Sequence, residues 1–179
     1  MSSTWKNIAE VNGMKISTKG RYSVRLMYDL AIHNTGEYIT IKSIAKRQEI
    51  SVKYLEQIIS ILNKAGFVKS IRGAQGGYKL AREPKDITIG MILRLTEGSL
   101  SPVLCLDDEQ NQCKRALECP TLFIWQKIND TVNNIVDNIT LEDIINRDKQ
   151  LNGNNYMIWL EYIKIKKASL IIKNCFFYF

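Results

Sequence analysis

The chain has 179 residues, of which 45% are hydrophobic, 24% charged and 9% aromatic, with 10 glycines and 3 prolines. This composition excludes collagenous, low-complexity and wholly disordered proteins, and the length indicates one domain, or a small domain with an added element. The opening MSSTWKNIAEVNG has no basic start followed by an apolar run, and lysines interrupt the apolar C-terminal segment. We therefore expect a cytoplasmic protein without a secretory signal or a membrane-spanning segment.

The net charge of +7 is distributed unevenly along the chain. Residues 14–98 carry 15 basic and 7 acidic side chains, whereas residues 99–150 carry 5 basic and 9 acidic side chains. A basic segment followed by an acidic one predicts a polyanion-binding domain joined to a segment with another task. A solvated charged face explains the same distribution equally well, so charge alone does not decide.

Three successive helices are predicted in the basic segment. Apolar residues recur at helical spacing over residues 17–33, after Ser17 or Thr18 as the N-cap. Thr40 can cap the short helix IKSIAKRQ, and Ser51 can cap the longer helix SVKYLEQIISILNKAG. Two helices joined by a tight turn, with the second one longer, form a helix-turn-helix.

A basic β-hairpin is predicted directly after these helices. FVKSIR and GYKLAR are typical of two short strands, and the intervening GAQG permits the positive φ angles of a tight turn. A nucleotide-binding loop is excluded at Gly73, Gly76 and Gly77, because neither GxxxxGK[ST] nor GxGxxG is present. We therefore predict a mainly α-helical fold with a small β-hairpin wing, which is a winged helix-turn-helix.

In a winged helix, the start of the second helix of the pair enters the major groove of DNA. Gln57 can pair with adenine, Glu56 can accept a hydrogen bond from cytosine N4, and Lys53 can donate to guanine or a phosphate. Each residue taken singly is more often an ordinary solvent-facing position, whereas the helix-turn-helix and basic wing together favour DNA binding. The residues predicted to contact DNA are Lys19, Arg21, Thr40, Ser51, Lys53, Tyr54, Glu56, Gln57, Arg72, Gln75, Gly76 and Tyr78.

Three segments of the chain resemble a known family. MKISTKGRYSVRLMYDLA, SVKYLEQIISILNKAGFVKSIRGAQGGYKLA and ITIGMILRLTEG resemble the IscR, NsrR and CymR family of bacterial winged-helix regulators, and the YLEQ and RGAQGGY motifs are specific to it. The resemblance covers residues 14–147. It implies a homodimer on a palindromic double-stranded DNA operator, with helix 51–65 in the major groove, and we expect it to act as a repressor. Met14 matches the usual start of the family.

Cys105, Cys113 and Cys119 lie within fifteen residues of the acidic segment. Their spacing leaves an iron–sulfur cluster, a zinc site and three free thiols open, because CxxC pairs are missing and His33 is the only histidine. The resemblance favours the cluster, since cluster-binding members of the family carry three cysteines just before the dimerisation helix. It implies an iron–sulfur cofactor of the 2Fe-2S type on these cysteines and a sensor of cluster supply, oxidants or nitric oxide.

The fourth ligand of such a cluster is not identified. Leu122 stands where family members often have a histidine ligand, and Arg21 stands where NsrR-like members have an aspartate. The gap between the first two cysteines is seven residues, where the best-known members have five. The acidic candidates for the fourth ligand are Asp107, Asp108, Glu109 and Glu118.

A long helix is predicted after the cysteines, because apolar residues keep helical spacing from Leu122 to Ile139. Its apolar side needs a partner, and we expect it to pair across a two-fold axis. The expected organisation is an N-terminal extension (1–13), a winged helix-turn-helix domain (14–98), a cysteine-bearing sensor loop (99–121), a dimerisation helix with a short C-terminal helix (122–147), and a tail of unknown role that begins with a polar linker (148–179).

Two other functions fit parts of the pattern. A clusterless, CymR-like regulator would respond to a metabolic enzyme partner or to thiol oxidation, and a protein-interaction adaptor would use the winged helix without binding DNA. An enzyme is not expected, because the chain has no HExxH, nucleophile elbow or nucleotide loop.

Overall fold

The computed structural model describes residues 15–73, 76–107, 111 and 113–153. It confirms a mainly α-helical fold with a two-stranded hairpin. The elements are α1 (Thr18–Ile32), α2 (Ile41–Gln48), α3 (Val52–Lys64), β1 (Val68–Ile71), β2 (Gly77–Leu80), α4 (Ile89–Glu97) and α5 (Leu122–Asn138), with 3-10 turns at Pro84–Asp86, Leu104–Leu106 and Ala116–Glu118. A further helix, α6, covers residues 141–153.

The first three helices begin at the caps predicted for them. Ser17 rather than Thr18 caps α1, and its hydroxyl oxygen accepts a hydrogen bond from the backbone N–H of Gly20 at 3.2 Å. Thr40 and Ser51 accept in the same way at the starts of α2 and α3. Each cap satisfies one of the free N–H groups of a helix start, and such a cap is worth about 1 kcal/mol.

The apolar stripes of the helices meet in one core. α1 packs against α2, α3 and α4, and α3 packs against α4 and β1. The largest fully buried apolar side chains come from every one of these helices and from the segments around Ile87 and Leu141. They are Leu26, Met27, Leu30, Ile44, Leu55, Ile58, Leu62, Ile87, Ile92 and Leu141.

The hairpin is attached to the start of α2. β1 and β2 are antiparallel, with Val68 opposite Leu80, and Tyr78 also pairs with Ile39 through N–H···O bonds of 2.9 and 2.8 Å. A Cβ on Gly77 would lie 2.6 Å from the carbonyl oxygen of Ile39, so only glycine permits this close approach. The wing therefore has a fixed position beside the helix-turn-helix.

A polar clamp holds α4 against α5. The guanidinium of Arg94 donates to both carboxylate oxygens of Asp137, at 2.6 and 2.8 Å, and to Asn133 Oδ1 at 2.6 Å. Gly90 lies under this clamp, where an added Cβ would collide with Asp137 Oδ1. A backbone hydrogen bond from Ile89 N to Ile139 O, at 2.8 Å, also connects the start of α4 to the end of α5.

The described part of the chain falls into two units, with the division between residues 142 and 143. In the described part of the second unit, residues 143–153 are helical, so the polar linker predicted from residue 148 onward is wrong for residues 148–153. One reason is local, since Asn152 donates to Asp148 Oδ1 at 2.9 Å across a single helical turn. The predicted extension at 1–13 and the tail beyond 153 lie outside the described residues. Across the described ranges, none of the helices combines the length and the apolar character that a membrane-spanning segment requires.

The Arg94–Asp137 clamp predicts a pH-dependent contribution to stability. Hydrogen bonds from Arg94 hold the pKa of Asp137 below its usual value. The clamp therefore stabilises the fold above the unfolded aspartate pKa of about 3.9, and this contribution is lost as the pH falls through the lower folded pKa. Both side chains are about two-fifths exposed, so Asp137→Asn should cost only about 0.5 to 1 kcal/mol at pH 7.

Urea unfolding of wild type and Asp137→Asn between pH 7 and pH 3 measures this contribution. The difference between the two proteins should narrow as the pH falls below about 4. Asp130→Asn, an exposed aspartate of the same helix, is the matched control and should show little difference at any pH. A cost that stays constant with pH would contradict the electrostatic account.

Candidate nucleic-acid interface and cysteine segment

Helix α3 has one buried side and one exposed side, as its sequence pattern predicts. Leu55, Ile58, Ile59 and Leu62 are buried, because they recur at positions i, i+3, i+4 and i+7. Lys53, Glu56 and Gln57, predicted to recognise DNA, are exposed in the first two turns. Hydrogen-bonding side chains at the start of a helix, carried on a fixed apolar base, can enter a DNA groove.

Aromatic contacts hold the start of α3 against α1. The rings of Tyr22 and Tyr54 meet edge to face, with centroids 5.8 Å apart and planes at 87°. The guanidinium of Arg25 lies 5.5 Å from the centroid of the Tyr22 ring. Such aromatic and cation–π pairs each contribute about 0.5 to 1.5 kcal/mol. Tyr54, one of the residues predicted to contact DNA, is half-buried at this contact.

A buried carboxylate connects α1 to α2. Asp29 is fully buried, and its two oxygens accept hydrogen bonds from Arg47 at 3.0 and 2.6 Å. Gln48 Nε2 donates to the same carboxylate at 2.9 Å. The hydrogen bonds that Arg47 donates to Asp29 also raise the pKa of Arg47 above its ordinary value. The three bonds compensate the cost of burying the charge and determine how α2 crosses α1.

The turn between α2 and α3 is held by a second arginine. Arg25 Nε donates to Gln48 Oε1 at 3.1 Å, and its Nη2 donates to the backbone carbonyl of Gln48. Glu49 then adopts a left-handed conformation with φ of 54°, and Ile50 is buried. Arg25 therefore ties the end of α2, and with it the direction in which α3 begins, to α1.

The remaining predicted contact residues lie in two groups. Arg21 is exposed and Lys19 half-buried in the first turn of α1, beside the Tyr22–Tyr54 contact, with capping Ser51 at the start of α3. Thr40, the residue after Ile39, lies next to the wing residue Tyr78 through the Ile39–Tyr78 pairing. Arg72 is exposed and Gly76 half-buried at the wing, and Gln75 lies outside the described residues.

Asp29, Arg25, Arg47 and Gln48 were missing from the residues predicted from sequence. A signal for Asp29 was present, since it falls inside the apolar stripe of α1 between Met27 and Leu30. A charge on the buried side of a helix implies a partner. The sequence did not show which of the many basic residues was that partner.

The three predicted metal ligands lie in turns with little burial. Cys105 is half-buried in the 3-10 turn Leu104–Leu106, Cys113 is exposed, and Cys119 is half-buried just before α5. The Thr121 hydroxyl, 3.5 Å from Cys119 Sγ, and the Thr121 backbone N–H lower the pKa of this thiol. Within the part of the chain that the structure describes, no three cysteine, histidine, aspartate or glutamate side chains are grouped closely enough to hold a metal ion.

Two of the four acidic candidates for a fourth ligand lie within the described residues. Asp107 follows the turn that carries Cys105, and Glu118 is the residue before Cys119. Asp108 and Glu109 lie outside the described residues. Leu122 and Arg21, at the positions where related proteins were expected to carry a ligand, supply no metal-binding atom suited to this role.

Helix α5 exposes an apolar stripe. Ile124, Ile128 and Ile135 are 40%, 37% and 53% exposed, and Phe123 beside them is 58% exposed. Their spacing places the isoleucines on one side of the helix. A continuous apolar stripe of this kind on the surface of a folded chain is typical of an interface with another protein.

Comparison with known proteins agrees with this architecture. A family model described as "Rrf2: Iron-dependent Transcriptional regulator" matches residues 16–147. The chain belongs to the Rrf2 family. It is therefore a transcriptional regulator, and the resemblance inferred from its motifs is confirmed. Its relatives carry the names of regulators rather than enzymes.

Individual Rrf2 relatives include both CymR and IscR proteins. The chain is 48% identical over 131 residues to the transcriptional regulator CymR of Bacillus subtilis, covering 73% of this chain and 89% of the relative. It is 35% identical over 139 residues to IscR of Pectobacterium atrosepticum, covering 78% and 84%. The solved structure of IscR from T. potens matches with a TM-score of 0.62 at 44% identity, over 76% of this chain and 90% of that one.

The buried Asp29–Arg47 pair should be essential for the stability of this Rrf2 protein. Arg47→Met should lower the free energy of unfolding by about 3 kcal/mol, because it leaves a buried carboxylate without its main partner. Asp29→Ala should cost less, since Arg47 is one-third exposed and can turn towards water.

Urea unfolding of both variants tests this order, and Lys46→Met is the matched control. Lys46 is exposed on the neighbouring position of α2, so its substitution should change stability by no more than about 0.5 kcal/mol. Equal effects of Arg47→Met and Lys46→Met would show that the buried pair does not determine stability.

Proposed function

We propose that this Rrf2 protein is a cytoplasmic repressor that binds a palindromic operator as a homodimer. Helix α3 enters the major groove, and the wing lies alongside it. The observation that carries the proposal is the start of α3, where exposed Lys53, Glu56 and Gln57 stand on a buried apolar stripe. Asp29, Arg25 and the Tyr22–Tyr54 contact hold that helix start in position, so its side chains meet DNA without reorganisation.

The contacts divide by chemistry between bases and phosphates. Gln57 and Glu56 carry groups that match adenine and cytosine edges in the major groove. Arg21, Lys53 and Arg72 carry positive charges suited to phosphates, and these contacts position the protein without carrying sequence information. The basic excess of residues 14–98 adds attraction to DNA of any sequence.

The second copy in this proposal pairs through α5. Phe123, Ile124, Ile128 and Ile135 are partly exposed along this helix. Full burial of such a side chain from water contributes about 1.5 to 3 kcal/mol, and covering the exposed part of each would contribute a share of that. A two-fold axis at α5 would give the dimer two symmetry-related copies of α3. Such a pair matches an operator with two symmetric half-sites.

DNA binding should respond differently to Gln57→Ala and to Lys53→Ala. On an operator selected from a random duplex library, Gln57→Ala should cost about 1 to 3 kcal/mol and relax the preference for bases at one position. Lys53→Ala should weaken binding to every sequence and reduce the slope of log affinity against log salt by about one.

Fluorescence anisotropy with labelled duplexes between 50 and 200 mM salt measures both effects. Lys127→Ala, which removes one exposed positive charge from α5, is the matched control and should leave the salt slope unchanged. A wild-type protein without salt-dependent affinity for duplex DNA would instead favour a protein-interaction adaptor.

The signal that controls DNA binding is proposed to act at the cysteine segment. Cys105, Cys113 and Cys119 are free thiols in accessible turns, and thiolates are the usual ligands of iron–sulfur clusters. The donor chemistry therefore fits three of the four ligands of a 2Fe-2S cluster. When bound, such a group would supply an oxidant-sensitive link between the turns that carry the three cysteines. The side chains of the cysteine segment would then adopt an ordered arrangement around the bound group.

A clusterless, CymR-like regulator is the second candidate. The 48% identity to CymR of Bacillus subtilis supports it, as does the separation of the three cysteines in the described residues. In that case a metabolic enzyme or thiol oxidation would supply the signal. The two candidates share the DNA-binding surface. They differ in the signal that controls it, which is an iron–sulfur cluster in the first and an enzyme partner or thiol oxidation in the second.

Anaerobic purification and reconstitution with iron and sulfide should distinguish these two candidates. The cluster proposal predicts a brown protein with matched iron and acid-labile sulfide per chain, and loss of the visible absorption in Cys105→Ser, Cys113→Ser and Cys119→Ser. Cys175→Ser, a substitution at the remaining cysteine of the chain, is the control and should retain the colour. A colourless wild type after reconstitution would favour the CymR-like alternative.

A further inference from the structure

Three polar residues follow one another along a single side of α5. Asn129, Asn133 and Asp137 recur at every fourth position, so they lie one above the other on the helix. The exposed apolar stripe that contains Ile128 and Ile135 lies on a different side of the helix. The two ends of the polar row contact different parts of the chain.

The first end contacts the segment that carries Cys105. The Ser101 hydroxyl donates to the carbonyl oxygen of Leu106 at 2.7 Å and lies 3.2 Å from Asn129 Oδ1. Leu106 closes the 3-10 turn that contains Cys105. Ser101 thus connects the turn of the first cysteine to the polar row on α5.

The second end contacts the DNA-binding domain. Asn133 and Asp137 both accept hydrogen bonds from Arg94, which belongs to α4. A Cβ on Gly90 would collide with Asp137 Oδ1 and lie 2.7 Å from Arg94 Nη1, so a larger residue here would displace the side chains of the clamp. Helix α4 also packs directly against α3, so a shift of the clamp moves the base on which α3 rests.

We propose that Asn129, Asn133 and Asp137 position the recognition helix according to the state of the cysteine segment. A change in the turn of Cys105 alters the Ser101–Asn129 contact, and the rigid helix α5 passes this change to Arg94 and α4. The proposal rests on the proposed function for its effect on operator binding. Its physical content is an energetic coupling between two contacts on one helix, which is directly measurable.

Hydrogen exchange in the absence of DNA tests the coupling first. In full-length protein, Ser101→Ala and Asn129→Ala should each speed exchange of the α4 amides by about threefold or more, although neither residue contacts α4 in its own hydrogen bonds. Thr131→Ala is the matched control on α5, because the Thr131 hydroxyl donates to Lys127 O of the same helix. It should leave α4 exchange unchanged. Unchanged α4 exchange in both Ser101→Ala and Asn129→Ala would overturn the proposal.

A double-mutant cycle on duplex DNA then tests the consequence for binding. Ser101→Ala and Arg94→Met should each weaken operator affinity, and the double variant should lose at least about twofold less than the product of the two losses. Multiplicative losses would overturn the proposed effect on the recognition helix. A wild type that does not bind duplex DNA at all would refute the proposed function, while the exchange experiment would still decide whether the coupling exists.

Discussion

The position of the recognition helix depends on the buried carboxylate of Asp29. Burying an unpaired charge costs several kcal/mol, and Arg47 and Gln48 offset this cost by bringing the end of α2 to the carboxylate. Gln48 in turn accepts hydrogen bonds from Arg25 through its side-chain and backbone oxygens. These bonds hold the turn into α3 in place. Apolar packing restricts the angles at which these helices cross, and the charge-assisted hydrogen bonds of Asp29 add directional contacts between particular residues of α1 and α2.

A second set of polar contacts positions α5 against α4, as the contacts of Asp29 position α2 against α1. Arg94 donates hydrogen bonds to Asn133 and Asp137, and the absence of a side chain at Gly90 leaves room for the Asp137 carboxylate. Helix α5 therefore has two separate tasks on two sides. Its polar side faces the DNA-binding domain and the cysteine segment, and its exposed apolar side remains available to a second copy.

The cysteine segment differs in character from the rest of the molecule. The helices are specified by buried stripes and caps, whereas Cys105, Cys113 and Cys119 lie in turns with few buried contacts. Segments with few buried contacts are the ones that change conformation at low cost. A change of conformation in these turns therefore costs less than a change among the buried contacts of Asp29 and the core.

The sequence by itself determined the helices, the hairpin and the exposed side of α3, because caps and apolar periodicity act over three to seven residues. Ser17, Thr40 and Ser51 each accept from a backbone N–H three positions later. Only the tertiary structure decided the partners of Asp29 and Asp137, which lie 18 and 43 positions from Arg47 and Arg94. The residues next to a charged side chain in the sequence do not indicate which distant partner it contacts. The contact of Tyr54 with Tyr22 likewise could not be predicted from the neighbouring residues. The sequence pattern shows that a group must be paired, and the packing of the helices selects the pair.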